Sequence, residues 1–315
     1  MADARVIIGR TQIVTNSIVQ TKDLWHQFGH QDALRGLSMS VPEGEVYALI
    51  GANGAGKTTA VKVLMNLVIP SRGEARVMGI ESRRLDPKIL AHIGYVSATH
   101  ALPSRMRVDA YLEYVRRFYP AWDVQLESSL RKRLQLIGNQ PIKDLSFGSR
   151  MKLALVAALS YRPRLLVLDE PLAGLDPLVR DEFMTELLRE AGELTVLIAS
   201  HELAEIESIT TRVGFIHRGR MLLQGSRSEL AMRLREARVS AEQPLSVPQG
   251  WPAEWLEPRV FGNVITFFDT SHTPDTFADR VRALLGPVRH IDVVPLPLRT
   301  LFSVLERTAQ IGEGQ

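Results

Sequence analysis

Cysteine is missing from this chain of 315 residues, and its absence excludes several kinds of site. Without thiols there is no disulfide framework, no thiolate-bound metal and no cysteine nucleophile. The absence also fits a reducing compartment. Any chemistry must therefore use carboxylates, histidines, lysines, hydroxyls or a metal held by such groups.

Long apolar runs are missing too. A membrane-spanning helix needs about 20 consecutive, mostly apolar residues. The longest stretch without Asp, Glu, Lys or Arg covers residues 89–104, and it contains two His, two Ser, a Thr, a Gly and a Pro. The N-terminus carries Asp3 and too short an apolar run for a signal peptide. We therefore expect a protein that works in the cytosol or from a membrane surface.

A strong charge of one sign is also lacking. The 38 basic and 35 acidic residues leave a net charge of +3 and an isoelectric point of about 9.2. This excess is much weaker than that of a dedicated nucleic-acid binder, so no nucleic-acid partner is expected. With 45% hydrophobic and 23% charged residues, the composition is that of an ordinary soluble protein. At about 150 residues per domain, the length suggests two domains.

What is present is an alternation of short apolar runs and longer helical stretches. Continuous apolar runs cover residues 46–50, 165–168 and 195–199, and they are typical of strands buried on both faces of a parallel sheet. The alternation predicts an α/β fold. Residues from about 85 to 160 differ, because helical spacing dominates there, and they predict a mostly helical insertion.

The two ends of the chain have different patterns. Residues 1–17 have weak periodicity and predict a tail or an added edge strand. Residues 226–315 predict a small α+β domain. Its expected parts are a charged helix at 228–237, a Pro-rich linker at 244–252, a hairpin around the Gly262-Asn263 pair, a helix at 276–285, a strand at 290–294 and a final helix at 298–307.

The most specific motif is G-A-N-G-A-G-K-T at residues 51–58, which fits the phosphate-binding loop G-x-x-x-x-G-K-[ST]. It follows an apolar strand and precedes a helical run, as such a loop requires. Glycines let successive N–H groups surround a polyphosphate, and the helix adds its positive end. Lys57 would reach the β- and γ-phosphates and the Thr58 hydroxyl would bind Mg²⁺. The predicted nucleotide contacts are Asn53, Gly54, Ala55, Gly56, Lys57, Thr58 and Thr59.

A pair of acids follows the second apolar run. Asp169 would hold the Mg²⁺ of the loop, and Glu170 would polarise the attacking water as a general base. Alone, such a pair is more often the acidic start of a helix. The phosphate-binding loop earlier in the chain favours the functional interpretation.

In order and spacing, these motifs resemble the nucleotide-binding subunit of an ATP-binding cassette (ABC) transporter. Four further elements match that family. Phe28 lies where the family has an aromatic that stacks on adenine. Residues 145–149, L-S-F-G-S, lie at the family's signature, normally L-S-G-G-Q. Asp176 belongs to its D-loop, and His201 lies at its switch histidine. The resemblance covers about residues 18–225.

The resemblance implies a P-loop ATPase fold with a helical subdomain at about 85–160, and ATP and Mg²⁺ as ligands. Two cassettes would pack head to tail, as a homodimer or with a paralogue. Ser146 and Gly148 of one would then bind the γ-phosphate held by the other, and His201 would hold the attacking water. A separate integral-membrane permease would place the protein at the inner face of the cell membrane. The appendix after the cassette resembles export-type subunits, so export is favoured over import.

The sequence departs from the family pattern at two places, the signature and the position of a glutamine that contacts Mg²⁺ in the family. Phe147 replaces the first glycine of the signature pair, and Ser149 replaces its glutamine. The glutamine that the family places after the strand I-G-Y-V is absent, since Ala98 stands there. Thr99 or His100 could substitute for it. We therefore predict slow basal hydrolysis or altered coupling.

Alternative functions stay open at this point. A soluble ABC ATPase that remodels nucleic acid or ribosomes usually carries two cassettes or a long coiled coil, and neither is found here. A weakly hydrolysing, ATP-dependent regulatory module is compatible with the departures. The transported substrate is not encoded in these motifs.

Overall fold

The structure is a computed structural model that describes residues 17–99, 101–190, 192 and 194–313. These residues form two compact units, which divide between Met221 and Leu222. The predicted domain boundary, between residues 225 and 226, stays a prediction. Residues 1–16, for which we predicted a tail or edge strand, and His100 lie outside the described residues.

The first unit has an α/β architecture. Its six-stranded sheet has the order β10-β9-β3-β8-β7-β6, and a second sheet has the order β2-β1-β4-β5. The described strands are β1 (Ser17–Phe28), β2 (Gln31–Pro42), β3 (Val46–Ile50), β4 (Arg72–Val77), β5 (Ile80–Glu81), β6 (Ile93–Ser97), β7 (Leu165–Asp169), β8 (Thr195–Ser200), β9 (Arg212–His217) and β10 (Arg220–Ser226), which crosses into the second unit; the helices are α1 (Lys57–Leu64), α2 (Pro87–Leu90), α3 (Val108–Arg116), α4 (Val124–Arg133), α5 (Phe147–Leu159), α6 (Pro177–Glu190) and α7 (Leu203–Ile206).

The predicted apolar runs are the central strands of the larger sheet. β3 pairs in parallel with β8 and β9, and β7 pairs in parallel with β6 and β8. Every residue of β3, β7 and β8 is buried, as expected for strands covered on both faces. Because these strands are parallel, their carboxyl ends lie at one edge of the sheet, and the loops that follow them come together there.

Helix α1 lies between the two sheets. It contacts β2 and β4 of the smaller sheet and β7 and β8 of the larger one. Its buried residues, among them Ala60, Val61 and Leu64, belong to one core with residues of both sheets. The phosphate-binding loop at its start is therefore anchored on two sides.

The helical insertion is shorter than predicted. Residues 93–97 within the predicted range of 85–160 form β6, because this buried run pairs with β7. The helices α3, α4 and α5 occupy residues 108–159, and both α3 and α4 pack on α5. An aromatic cluster closes this segment: Tyr119 stacks on Tyr161 at 3.8 Å between ring centroids.

The second unit is an α+β fold with its own core. A four-stranded sheet of order β12-β13-β11-β14 packs around Trp255, Phe267 and Phe277. Its described elements are α8 (Arg227–Arg233), β11 (Arg235–Ala241), β12 (Trp255–Phe261), β13 (Val264–Asp269), α9 (Pro274–Leu285), β14 (Val288–Pro295) and α10 (Leu298–Glu313).

One predicted element of the second unit is wrong in part. We predicted a helix over 228–237, but the helix ends at Arg233 and β11 begins at Arg235. Ala237, Val239 and Ala241 are buried in alternation, which is the period of a strand, and β11 pairs with both β13 and β14. These two long-range pairings decide the structure of this segment.

Across the part of the chain that the structure describes, no helix combines the length and the apolar character needed to cross a membrane.

Candidate nucleotide-binding site

The loop at residues 51–58 connects β3 to α1 and has the conformation that its glycines permit. Gly56 caps α1 at φ 107°, and a Cβ there would lie 2.6 Å from the carbonyl oxygen of Ala33. A side chain would therefore force the loop away from β2. The Ala55 carbonyl accepts a hydrogen bond from Gly219 N–H at 2.7 Å, so the loop is held from a second side. Asn53 and Gly54 lie exposed at its tip.

The start of α1 supplies donors for an anion. The first backbone N–H groups of a helix have no acceptor within the helix, and here they belong to Lys57, Thr58 and Thr59. The cap residue, Gly56, offers no side-chain acceptor to them. Donors of this kind at a helix N-terminus suit a phosphate group.

Lys57 is 4% exposed and lies at the centre of the site. Its ammonium donates to the carbonyl oxygens of Gly51 at 2.7 Å and Ala52 at 3.1 Å, and it lies 3.0 Å from Glu170 Oε1. The cation is thus fixed between the loop and the end of β7.

Thr58 and Asp169 place two oxygen ligands side by side. The Thr58 hydroxyl donates to Asp169 Oδ1 at 2.9 Å. Burial raises the pKa of Asp169, and the hydrogen bond from Thr58 opposes that rise. A buried carboxylate next to a hydroxyl suits Mg²⁺, which binds one or two protein oxygens and completes its shell with water and phosphate oxygens. In the described residues, no cluster of three or more His, Cys, Asp or Glu that could hold a metal occurs.

The Glu170 carboxylate lies between the Lys57 ammonium and the His201 ring. Its Oε2 lies 2.7 Å from His201 Nδ1, and its Oε1 contacts Lys57. Its backbone has φ 52°, in the left-handed region that non-glycine residues seldom adopt, and its N–H donates to Ala199 O at 2.9 Å. Strained backbone of this kind is concentrated at functional sites.

His201 follows β8 and was predicted from its position after that strand. Besides Glu170, it has a second acidic neighbour, because Glu202 Oε1 lies 3.6 Å from its Nε2. Glu202 was not among the predicted site residues. Its place directly after the histidine was the available signal.

The other predicted residues lie on separate elements. Ser146 caps α5 by accepting from Ser149 N–H at 3.1 Å, and Asp176 accepts from Val179 N–H at the start of α6. Phe28 ends β1, 52% exposed, with its ring edge-on to His26 at 4.5 Å. The structure thus brings together residues 51–59, Asp169, Glu170 and His201. Among the described residues, no hydrogen bond or ion pair joins this group to Ser146, Gly148, Asp176 or Phe28.

The two departures from the family pattern meet in one groove. A cavity of about 260 Å³ lies between the end of β6 and the start of α5, and both Ala98 and Phe147 line it, together with Arg150 and Met151. The Ala98 N–H donates to Asp169 O at 3.1 Å, so the main chain here adjoins the predicted metal ligand Asp169. The Thr99 hydroxyl bonds Ser97 Oγ at 3.0 Å.

Comparison with known proteins gives consistent matches. The family model described as ABC transporter matches residues 34–173. The chain is 31% identical over 232 residues to the bacitracin transport ATP-binding protein BcrA of Enterococcus faecalis, covering 71% of this chain and 74% of that protein. It is 32% identical over 210 residues to the lantibiotic transport ATP-binding protein SrtF of Streptococcus pyogenes, covering 66% and 90%. A solved ATP-binding subunit of an ABC transporter is similar with a TM-score of 0.63 and 25% identity, over 69% of this chain and 92% of that one.

Proposed function

The chain belongs to the ABC transporter family as an ATP-binding subunit, and from this premise we propose that it binds and hydrolyses ATP to drive export through a separate membrane permease. The observation that carries the proposal is the convergence of Lys57, Glu170 and His201 beside the phosphate-binding loop. Together these groups bind a γ-phosphate and supply a base next to it.

Glu170 would act as the general base for the attacking water. A base must come within hydrogen-bond reach of the proton that it takes. Lys57 and His201, the two groups that would bind the γ-phosphate, both contact the Glu170 carboxylate. When they turn to the phosphate, the carboxylate loses both partners and is free to accept a proton. ATP binding would thereby activate its own base.

Thr58 and Asp169 would hold Mg²⁺ between the loop and β7. When bound, the metal neutralises charge on the β- and γ-phosphate oxygens. The Thr58 hydroxyl, which now donates to Asp169, would turn its lone pairs to the metal, and Asp169 would bind it directly or through water.

A dimer would complete the site. Ser146 and Gly148 lie at the N-terminal end of α5, where N–H groups and the helix dipole favour an anion. No contact joins them to Lys57 within the described residues, so we propose that they bind the γ-phosphate held by a second cassette, packed head to tail. The partner cassette is a second copy or a paralogue. Asp176, at the start of α6, would lie at the same interface, and Phe28 would stack on adenine.

The names of the relatives support the proposal of a transport role. BcrA and SrtF are named for transport of bacitracin and of a lantibiotic, and both are ATP-binding subunits. We propose an export function of this kind, with the protein held at the inner membrane face by its permease. The groove lined by Ala98, Leu102 and Phe147 is the surface that we assign to the permease.

Substitution of Glu170 tests the shared-site mechanism. In the full-length Glu170→Gln variant, Mg-ATP should bind without being hydrolysed, and dimers should accumulate in size-exclusion chromatography with light scattering. Lys57→Ala should bind no ATP and stay monomeric. Asp181→Asn, which removes an exposed carboxylate of α6, is the matched control and should behave like the parent. Glu170→Gln that stays monomeric in ATP would contradict the proposal.

A further inference from the structure

An ion pair between a buried carboxylate and an arginine that is 29% exposed connects two segments of the active site from behind. Arg180 lies on α6, four residues after Asp176, and its Nη1 is 2.5 Å from Glu205 Oε1 on α7. The Glu205 side chain is 6% exposed. The other terminal nitrogen of Arg180 lies 3.5 Å from the Leu175 carbonyl oxygen. One guanidinium therefore spans from the loop after Glu170 to the segment after His201.

The contacts continue from Glu205 back to the site. Glu205 hydrogen-bonds Glu202, and burial together with this bond raises the pKa of Glu205 to about 7. Glu202 lies 3.6 Å from His201 Nε2, and His201 Nδ1 lies 2.7 Å from Glu170. The turn that follows Glu170 leads to Leu175, through N–H bonds of Ala173 to Glu170 O and of Leu175 to Leu172 O. These contacts close a ring that contains both the base and the switch histidine.

Stability alone does not account for this arrangement. The Glu205 carboxylate is largely removed from water, and the desolvation cost of such a group offsets much of the Coulombic gain of its ion pair. Arg180 also carries a cost of its own, because its Nε is buried without a hydrogen-bond partner in the described part of the chain. An unsatisfied buried donor calls for an explanation, and here the guanidinium fork is placed where it reaches two functional segments at once.

We propose that Arg180 and Glu205 are positioning residues for ATP hydrolysis. They hold the 174–176 loop in a fixed relation to residues 201–205, so that a displacement of that loop is transmitted to His201 and Glu170. The inference rests on the proposed function, because the 174–176 loop is where the second cassette would contact this one. Closure of the dimer would then set the geometry of the base through this pair.

A matched pair of variants tests the proposal in the full-length protein. Glu205→Gln replaces the carboxyl group that pairs with Arg180 and hydrogen-bonds Glu202. Glu186→Gln is the control, since Glu186 lies on the same α6, is also 6% exposed and pairs with Arg133 at 2.5 Å, away from the ring. We expect Glu205→Gln to lower kcat about tenfold with KM for Mg-ATP within about twofold, because positioning acts on the reacting geometry and not on ground-state binding. Glu186→Gln should leave both constants within about twofold.

Arg180→Lys supplies a second, conservative variant. It keeps the charge, but a single ammonium cannot span both acceptors. It should therefore lower kcat as well, and the double variant with Glu205→Gln should lose no more than either single variant, because the two residues act as one unit. Three results would overturn the inference. They are a double variant whose loss in kcat equals the product of the two single losses, an unchanged kcat in Glu205→Gln, and an equal loss of kcat in Glu186→Gln. A parent without ATPase activity would refute the proposed function itself.

Discussion

Single residues at the site do more than their motifs indicate. Lys57 was expected to face phosphates, and it also contacts the carboxylate of Glu170. His201 contacts the other oxygen of the same carboxylate. In the proposed mechanism, the groups that would bind phosphate therefore restrain the proposed base until they have another anion to bind. Such a contact would limit unproductive activation of water.

Ala98 is the residue whose substitution should restore activity. The family has a glutamine there that contacts Mg²⁺, and the groove of about 260 Å³ beside Ala98 has room for a longer side chain. We expect Ala98→Gln to raise kcat for ATP hydrolysis several-fold, up to about tenfold, which corresponds to about 1.4 kcal/mol in the barrier. Steady-state phosphate release measures it.

Ala101→Gln is the matched control, because Ala101 lines the same groove and is not a predicted Mg²⁺ or nucleotide contact. It should leave kcat unchanged. An equal rise in both variants, or none in Ala98→Gln, would show that the missing glutamine does not limit the rate.

The packing of α5 on α6 sets the position of Ser146, which caps α5 and is a proposed γ-phosphate contact. Helix α5 packs on α6, and Gly148 of α5 lies against Val179 of α6. A Cβ on Gly148 would lie 2.8 Å from Cγ1 of Val179 on α6. The glycine is therefore needed for packing, besides the γ-phosphate contact that we propose for it.

Gly148→Ala should push α5 away from α6. Overpacking of this kind costs about 1–3 kcal/mol, and we expect a lower unfolding free energy in urea and a weaker ATP-dependent dimer. Val179→Ala removes both methyl groups that the new Cβ would meet. If packing is the cause, the Gly148→Ala/Val179→Ala double variant should regain stability relative to Gly148→Ala. A double variant as unstable as the sum of the two singles would argue against this clash.

At the scale of the whole molecule, the two compact units have separate cores, and the predicted ATP contacts lie in the first. Each unit contains two tryptophans, Trp25 and Trp122 in the first and Trp251 and Trp255 in the second. Ligand that binds only the native state stabilises it by RT ln(1 + [L]/Kd), about 2.7 kcal/mol at 100 times Kd. Bound Mg-ATP should therefore stabilise the first unit against unfolding.

Calorimetry of the full-length Glu170→Gln variant tests this expectation. In the Trp251→Phe/Trp255→Phe background, the fluorescence of Trp25 and Trp122 identifies which unfolding transition belongs to the first unit. Mg-ATP should raise the unfolding temperature of that transition. The Lys57→Ala variant should show no shift. A shift confined to the transition reported by Trp251 and Trp255 would place the nucleotide in the second unit and refute the assignment.

What the sequence by itself determined is local. The run at residues 46–50, the glycine spacing of residues 51–58 and the acids after residue 168 predict a strand, a phosphate-binding loop and a metal-binding edge, because each depends on neighbours along the chain. The helix predicted through residue 237 failed, since pairing of β11 with two distant strands outweighs local spacing.

Only the tertiary structure decided which groups meet. Lys57 and Glu170 are distant in the sequence, as are Arg180 and Glu205, and their ion pairs exist because parallel strands bring the loops at their carboxyl ends to one edge. Ala98 and Phe147 line one groove because α5 packs on β6. No local pattern encodes such pairs, because the packing of buried strands and helices, not the spacing of residues, sets these distances.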